Sequence, residues 1–413
     1  MTERPTQELG KVERLLLFHK TLSAIENYFA HWEGVPNLNP EKLFRKYIGR
    51  VENVKSRYEL DLIMMELIAD LNNGHSWFTD SQLEAEGIFG HFEFNVKYHD
   101  KLHKWIVVSS NDKNVVRGDI IARIDGEDIE KFFLRQKKYI SASSERSARA
   151  RLFGRSSMLF PKSFTIDTTA KKNIRVVKKN GRMAKLTAKT TGRMLADGIA
   201  YVKIPSFHNS SFEKRAVKYL RKFKKTKALI LDLRDNGGGR TPLWLASLLM
   251  DRKWIRPKYK SNPKSAELWN NPKTKKSNYR GWLNWPGRRF FGIVGYIKPL
   301  KSAYKGNVYI LVNESSISAP EDFTISFKYN KRATIIGSTT AGSDGDGHYF
   351  EFNKQIGFGL GIARVYWPDG KKFEGIGIKP DVEVLPSLND VKNGRDVVLE
   401  KAMAMAEKGS GRP

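Results

Sequence analysis

An α/β protein with a mixed sheet is what this 413-residue sequence predicts, and two observations carry the prediction. From about residue 191 onward, short β-rich runs ("GIAYVKI", "ALILDLR", "NVYILV", "ATIIG") alternate with segments of helical apolar spacing ("SFEKRAVKYLRKF", "TPLWLASLLM", "APEDFTISFKY"). Within 228–250, "ALILDLRDNGGGRTPLWLASLLM", a strand-like apolar run passes through a glycine-rich turn straight into a helix. The length exceeds one ordinary core, so two or three domains are expected. A hydrophobic content of 40% with 11% aromatics is that of a globular chain.

The elements before the α/β region have a different texture. Residues 1–83 are expected to be helical, because Leu15, Phe18, Leu22, Ile25 and then Leu60, Ile63, Leu67 recur at helical spacing. "LNNGHSWF" ends that region with a helix stop and turn. Residues 84–190 read as short alternating strands, among them "HFEFNVKYH" and "KWIVVSS". In "VVRGDIIARIDGEDIEKFF" (115–133) a Gly-Asp turn, a strand and an Asp-Gly turn lead into a helix. That order resembles a PDZ-like domain, a fold that binds peptide C-termini by adding a strand to its sheet edge. "SASSERSARARL" (141–152) reads as a helical insertion in it, 191–400 as the α/β core, and 401–413 as a frayed tail.

Composition excludes several function classes. The chain has no cysteine, so disulfides, thiol nucleophiles and cysteine zinc sites are ruled out. No histidine–carboxylate spacing of a metal site occurs and HExxH is absent; neither metal nor cofactor is expected. The net charge of +29 implies attraction to nucleic acid or an anionic surface, or equally a lysine-rich solvated exterior. The start has no signal-peptide pattern and no stretch reaches the roughly 20 apolar residues of a membrane span. A cytoplasmic location is the resulting expectation.

The glycine turn is neither G-x-G-x-x-G nor a phosphate-binding loop, because no Gly-Lys-Ser/Thr follows it. Converging backbone N–H groups there suit a transient oxyanion, which needs no lysine. "LVNESSISAPEDF" (311–323) is a second strand-to-helix junction and offers three serines as nucleophiles.

Taken in order, "LILDLRDNGGG", "VYILVNESSISAPEDF", "RATIIGSTTAG" and "VYWPDGKKFEGIGIKPDVEV" resemble the C-terminal processing peptidase (tail-specific protease) superfamily of serine peptidases. The resemblance spans about 60–384 and implies the mixed-sheet catalytic core of that superfamily, beside a PDZ-like domain and a helical N-terminal region. It implies Ser318 as nucleophile, with oxyanion donors from Ala319 and Gly238. Where the tail-specific branch has its lysine, this chain has Ser343. The resemblance is therefore closer to the tricorn-like branch, which uses a histidine after the N-terminal helices; "NNGHS" supplies His75 there. That branch implies Glu374 as orienting acid, with Ser76 or Ser343 as a further relay member.

His348 is the rival base, and Glu321 is expected to bond the helix start. The expected function is hydrolysis of peptides or unfolded polypeptides through an acyl-enzyme. A catalytically silent peptide-binding protein and a nucleic-acid-associated protein are the alternatives. The long connection 251–306, rich in Trp, Lys and Arg, is read as a substrate lid.

Overall fold

Asn39 and Ser56 start two helices by accepting the backbone N–H of Lys42 (2.8 Å) and Glu59 (3.2 Å) on their side chains. Lys11–Tyr28, Pro40–Glu52 and Arg57–Ala69 are the three helices of this region. The computed structural model describes residues 8–82, 90–154, 157–179, 188–196, 198–262, 264–265, 268 and 296–409. These divide into two units. The first holds 1–186, 261–268 and 346–363, and the second holds 187–260, 269–345 and 364–413.

In the first unit an antiparallel sheet runs in the order Phe94–His99, Lys104–Ser110, Ile120–Ile124, Ser163–Thr168, Ile174–Val177, with Glu127–Asp128 paired to Ile120–Ile124. Asp125 (φ 47°) and Gly126 (φ 78°) form the tight turn between the last two, the left-handed pair that Asp-Gly favours. Helices Ile129–Gln136 and Glu145–Gly154 close the core with Phe132, Phe133, Ala148, Leu152 and Phe153. Trp77–Asp80 pairs antiparallel with Ile356 to Gly359 of a separate sheet. The pairing needs glycine at 359, where a Cβ would lie 2.5 Å from the Trp77 ring.

The second unit is the α/β layer. Its sheet runs Val382–Glu383, Thr334–Gly337, Asn307–Val312, Ala228–Asp232, Ile199–Lys203, Thr191–Ala196, parallel throughout except for the last pair. One face packs Leu229, Leu231, Val308 and Ile310 against Ala216, Val217, Leu220, Phe323 and Phe327 of helices Ser210–Lys222 and Ala319–Tyr329. The other packs Ile230, Tyr309, Leu311 and Ile336 against Val398, Ala402 and Ala406 of Val397–Glu407. Both faces are covered, which is why these strands read as continuous apolar runs and not as alternating ones. Arg234 fastens the last helix to the sheet. Its guanidinium reaches Asp396 (2.7 and 2.8 Å) and Asp232 (2.9 and 2.7 Å).

Of the 251–306 connection, Trp254 is buried in the core at 1% exposure and not part of a lid. Trp269, Trp282 and Trp285 lie outside the described residues. No described helix is long and apolar enough to cross a membrane.

The first unit carries a buried charge cluster. Arg57 binds Asp80 through Nε (2.5 Å) and Nη2 (2.9 Å), both side chains being fully enclosed. Asp61 is buried beside them with Oδ1 unpartnered, and burial, reinforced by Asp80, pushes its carboxyl up to about 8. A pKa raised by folding adds stability at acid pH that is lost as pH rises through the folded value. Asp61→Asn should therefore be more stable than wild type by on the order of 1–3 kcal/mol near pH 9, the gain vanishing toward about pH 5. Urea midpoints at unchanged m measure it; a gain independent of pH would contradict the assignment.

Candidate active site

Ser318 sits between the strand Asn307–Val312 and the helix Ala319–Tyr329, with φ 69° and ψ −123°. A non-glycine residue in such a conformation costs of order 1–3 kcal/mol and persists only where its surroundings enforce it. They do so here. The Ser318 N–H is shared between the Ser343 carbonyl (3.0 Å) and Glu321 Oε2 (3.1 Å). The Ser318 carbonyl accepts from the N–H of Glu321 and Asp322. Ser318 stays partly exposed, whereas Ser316 is buried and donates its hydroxyl to the Leu233 carbonyl at 2.8 Å. Ser316 is a structural brace.

The first turn of the helix leaves one donor over. Pro320 has no N–H, and the Glu321 N–H already goes to Ser318. The Ala319 N–H has no acceptor among the described residues, as expected for a helix start, where unpaired donors and the dipole favour negative charge.

The glycine turn approaches the same serine. A Cβ added at Gly238 (φ 99°) would lie 2.9 Å from Ser318 Cβ and 3.3 Å from its Oγ. The contact is built by Asn236, which accepts the Ile317 N–H on its carbonyl (3.2 Å) and anchors its amide on the Ile204 carbonyl (2.9 Å). Asn236 Oδ1 also accepts the Gly238 N–H at 3.0 Å. The Gly238 donor is thus already engaged in this structure. Asn313 joins the two turns, accepting from Asp235 N–H (3.0 Å) and donating to Asp235 Oδ1 (2.9 Å).

Ser343 and Glu374 meet on two loops behind the nucleophile. Ser343 Oγ donates to Glu374 Oε1 (3.3 Å), and the Asp344 N–H reaches Glu374 Oε2 (3.2 Å). Glu321 holds the first loop in place. Fully buried, it accepts the N–H of Gly342 (2.8 Å) and Ser343 (3.1 Å), the Thr340 hydroxyl and the Ser318 N–H. Burial pushes its carboxyl up to about 8, against the pull of these four donors.

Sequence reading missed Asp344. It is enclosed with Oδ2 unpartnered, and burial, then Asp322 and Glu321, raise its pKa well above the usual carboxylate range. Asp322, also missed, accepts from Arg256 Nη2 (3.0 Å) and from the Thr241 hydroxyl. Only the acidic texture of "GSDGDGH" hinted at any of this.

His75 and Ser76 belong to the other unit. Their turn is braced by Asn73, whose Oδ1 accepts from His75 N–H (3.1 Å) and Ser76 Oγ (3.0 Å). Ser76 Oγ accepts the Gly361 N–H at 3.1 Å. That hydroxyl braces the turn in both directions, which argues against Ser76 as a relay member. Ser143 Oγ and the Arg151 guanidinium hold Gly74 from either side (2.8 and 3.2 Å), leaving His75 half-buried on a fixed backbone. His348 lies in the strand Gly345–Glu351, edge-on to Phe350 at 4.8 Å, and burial lowers its pKa.

Residues 198–384 match the model of Peptidase family S41. Over 112 residues the chain is 31% identical to a carboxy-terminal-processing protease of Bartonella bacilliformis, which covers 25% of this chain and 26% of that protein. Over 196 residues it is 25% identical to the chloroplastic carboxyl-terminal-processing peptidase 2 of Arabidopsis thaliana, covering 44% and 31%. The matches therefore span only about a quarter to a third of these curated relatives. Among solved structures, mature CPAF complexed with lactacystin has a similar fold, with a TM-score of 0.73 at 18% identity over 96% of this chain and 99% of that one. The photosystem II D1 C-terminal processing protease is also similar, at TM-score 0.53 and 20% identity over 94% and 98%. The glycine turn, Ser318, Ser343 and Glu374 all fall inside the matched stretch, and by it the chain belongs to the C-terminal processing peptidase superfamily, peptidase family S41.

Proposed function

We propose that this chain is a serine peptidase that hydrolyses peptides or unfolded polypeptides through an acyl-enzyme, with Ser318 as nucleophile and His75 as general base. The observation that carries the reading is the Ser318 backbone, held at φ 69° directly before a helix whose first N–H is unclaimed. Such a turn lifts a hydroxyl out of the strand-to-helix junction, beside a donor aimed at incoming negative charge.

In this mechanism Ser318 Oγ attacks the scissile carbonyl carbon while its proton passes to the His75 imidazole. The oxyanion draws the Ala319 N–H. The Gly238 N–H is its second donor and shares its bond to Asn236 Oδ1 as charge develops. Collapse expels the amine, which takes the proton from His75; water then enters, gives a proton to the same base and releases the acid. Imidazole suits both directions of transfer because it titrates near neutrality. Glu374, accepting from Ser343 Oγ and Asp344 N–H, is the orienting acid of this reading. Ser343 links it to the nucleophile's backbone. The histidine turn, braced by Asn73, Ser143 and Arg151, supports His75 over His348, whose ring is packed on Phe350.

A fluorophosphonate probe should label Ser318, and Ser318→Ala should abolish both labelling and peptide hydrolysis. His75→Ala should be as damaging as Ser318→Ala, since members of a relay fail as a unit. His348→Ala should retain most activity; the opposite order of the two histidine variants would move the base to the 345–351 strand. Gly238→Ala brings a Cβ to 2.9 Å from Ser318 Cβ at a positive φ. It should lower kcat/KM by roughly 10²–10³, the loss of one oxyanion donor. A folded Gly238→Ala protein with wild-type turnover would remove this glycine from the site.

A further inference from the structure

The first unit contains a cavity of about 670 Å³ remote in sequence from every residue of the proposed relay. Ile124, Phe132, Met158, Leu159, Phe160 and Pro161 form its apolar wall. Its charged lining is Asp125, Glu127, Arg135, Lys162 and Lys178. Two of these are matched: Arg135 pairs with Glu127 (2.7 Å). Asp125 Oδ1 accepts the Thr165 N–H and hydroxyl (2.7 and 3.2 Å). The remaining charge at the wall is cationic.

Lys178 is the unusual member. It is 3% exposed, yet it lines the cavity and donates its ammonium to the Phe160 carbonyl at 2.7 Å. Capping that carbonyl does not require a charge. One residue earlier in the same wall, the neutral amide of Gln136 caps the Leu159 carbonyl at 3.3 Å. Enclosing an ammonium costs several kcal/mol unless an anion or good hydrogen bonds compensate. Burial lowers the Lys178 pKa to about 8, so the ammonium still prevails at neutral pH.

We propose that this cavity is a binding site for a small carboxylic acid with an apolar body, the carboxylate meeting the Lys178 ammonium and the body filling the wall of Ile124, Phe132, Met158 and Phe160. Its volume falls in the range of small-molecule sites, and a few convergent polar groups on an apolar wall is their usual chemistry. A peptide added as a β-strand does not fit here. The strand Ile120–Ile124 already has Lys104–Ser110 on one edge and Ser163–Thr168 on the other. Recognition must come from side chains. A lysine point charge with Arg135 already paired suits a monoanion better than a phosphate, which favours a free guanidinium fork.

The test is calorimetric titration of the full chain with octanoate, 3-phenylpropionate and the neutral 3-phenylpropanamide. Both acids should bind, the amide at least about tenfold more weakly than 3-phenylpropionate. Lys178→Met, which keeps length and apolar bulk, should lose that preference. Ser318 labelling should be unchanged in Lys178→Met, which separates this site from the peptidase reading. On the wild-type chain, hydrogen exchange with octanoate should slow in peptides covering 129–136 and 157–162. Equal affinity of acid and amide, undiminished octanoate binding by a folded Lys178→Met protein, or protection confined to other segments would overturn the proposal.

Discussion

A single buried carboxyl organises the nucleophile. Glu321 accepts donors from Ser318, Thr340, Gly342 and Ser343, and no other side chain described here touches both the strained serine and the loop behind it. The Thr340 hydroxyl that donates to Glu321 in turn accepts the Ile378 N–H at 2.8 Å, so the tie extends to the loop that carries Glu374. An acceptor with four donors in a dry interior has little freedom to move, and the positive φ of Ser318 is affordable only because those bonds vanish if it relaxes.

The sheet supplies the second constraint. The turn after Asp232 and the turn after Val312 leave the carboxyl ends of two adjacent parallel strands, paired Ala228 to Asn307 through Asp232 to Leu311. That is where open α/β sheets present their sites. Register therefore fixes how closely Gly238 can approach Ser318. The contact admits no Cβ, and Asn236 and Asn313 lock the two turns at that spacing. Glycine at 238 answers both the positive φ and the close approach.

Buried polar groups recur away from the nucleophile and do different work in each place. Arg234 ties a C-terminal helix to the central strand, Arg57 and Asp80 fill the interior of the first unit, and Lys178 faces a cavity. Arg234 and Arg57 each have carboxylate partners in bidentate geometry, which is how buried charge is made tolerable. Asp61 and Asp344 lack that compensation for one oxygen each, and their carboxyls shift toward the neutral form instead.

The sequence by itself determined the α/β layer, since the doubly covered strands had to be unbroken apolar runs and the helices between them had to show one apolar stripe. It also exposed the Asp125-Gly126 turn, the glycine turn and the Ser318 junction, because positive φ leaves a local chemical signature. The neighbours of Ser318 were a different matter. Asn236, Asn313, Thr340 and Asp344 act through bonds between segments tens of residues apart, and nothing in their local sequence separates a brace from a solvated polar residue. The same holds for Ser76, whose place beside His75 suggested a relay until Asn73 and Gly361 were seen to occupy its hydroxyl. Lys178 is the extreme case. One lysine among the 73 basic residues of a chain of charge +29 carries no mark of burial, because desolvation is a property of the packed surroundings and not of the residue.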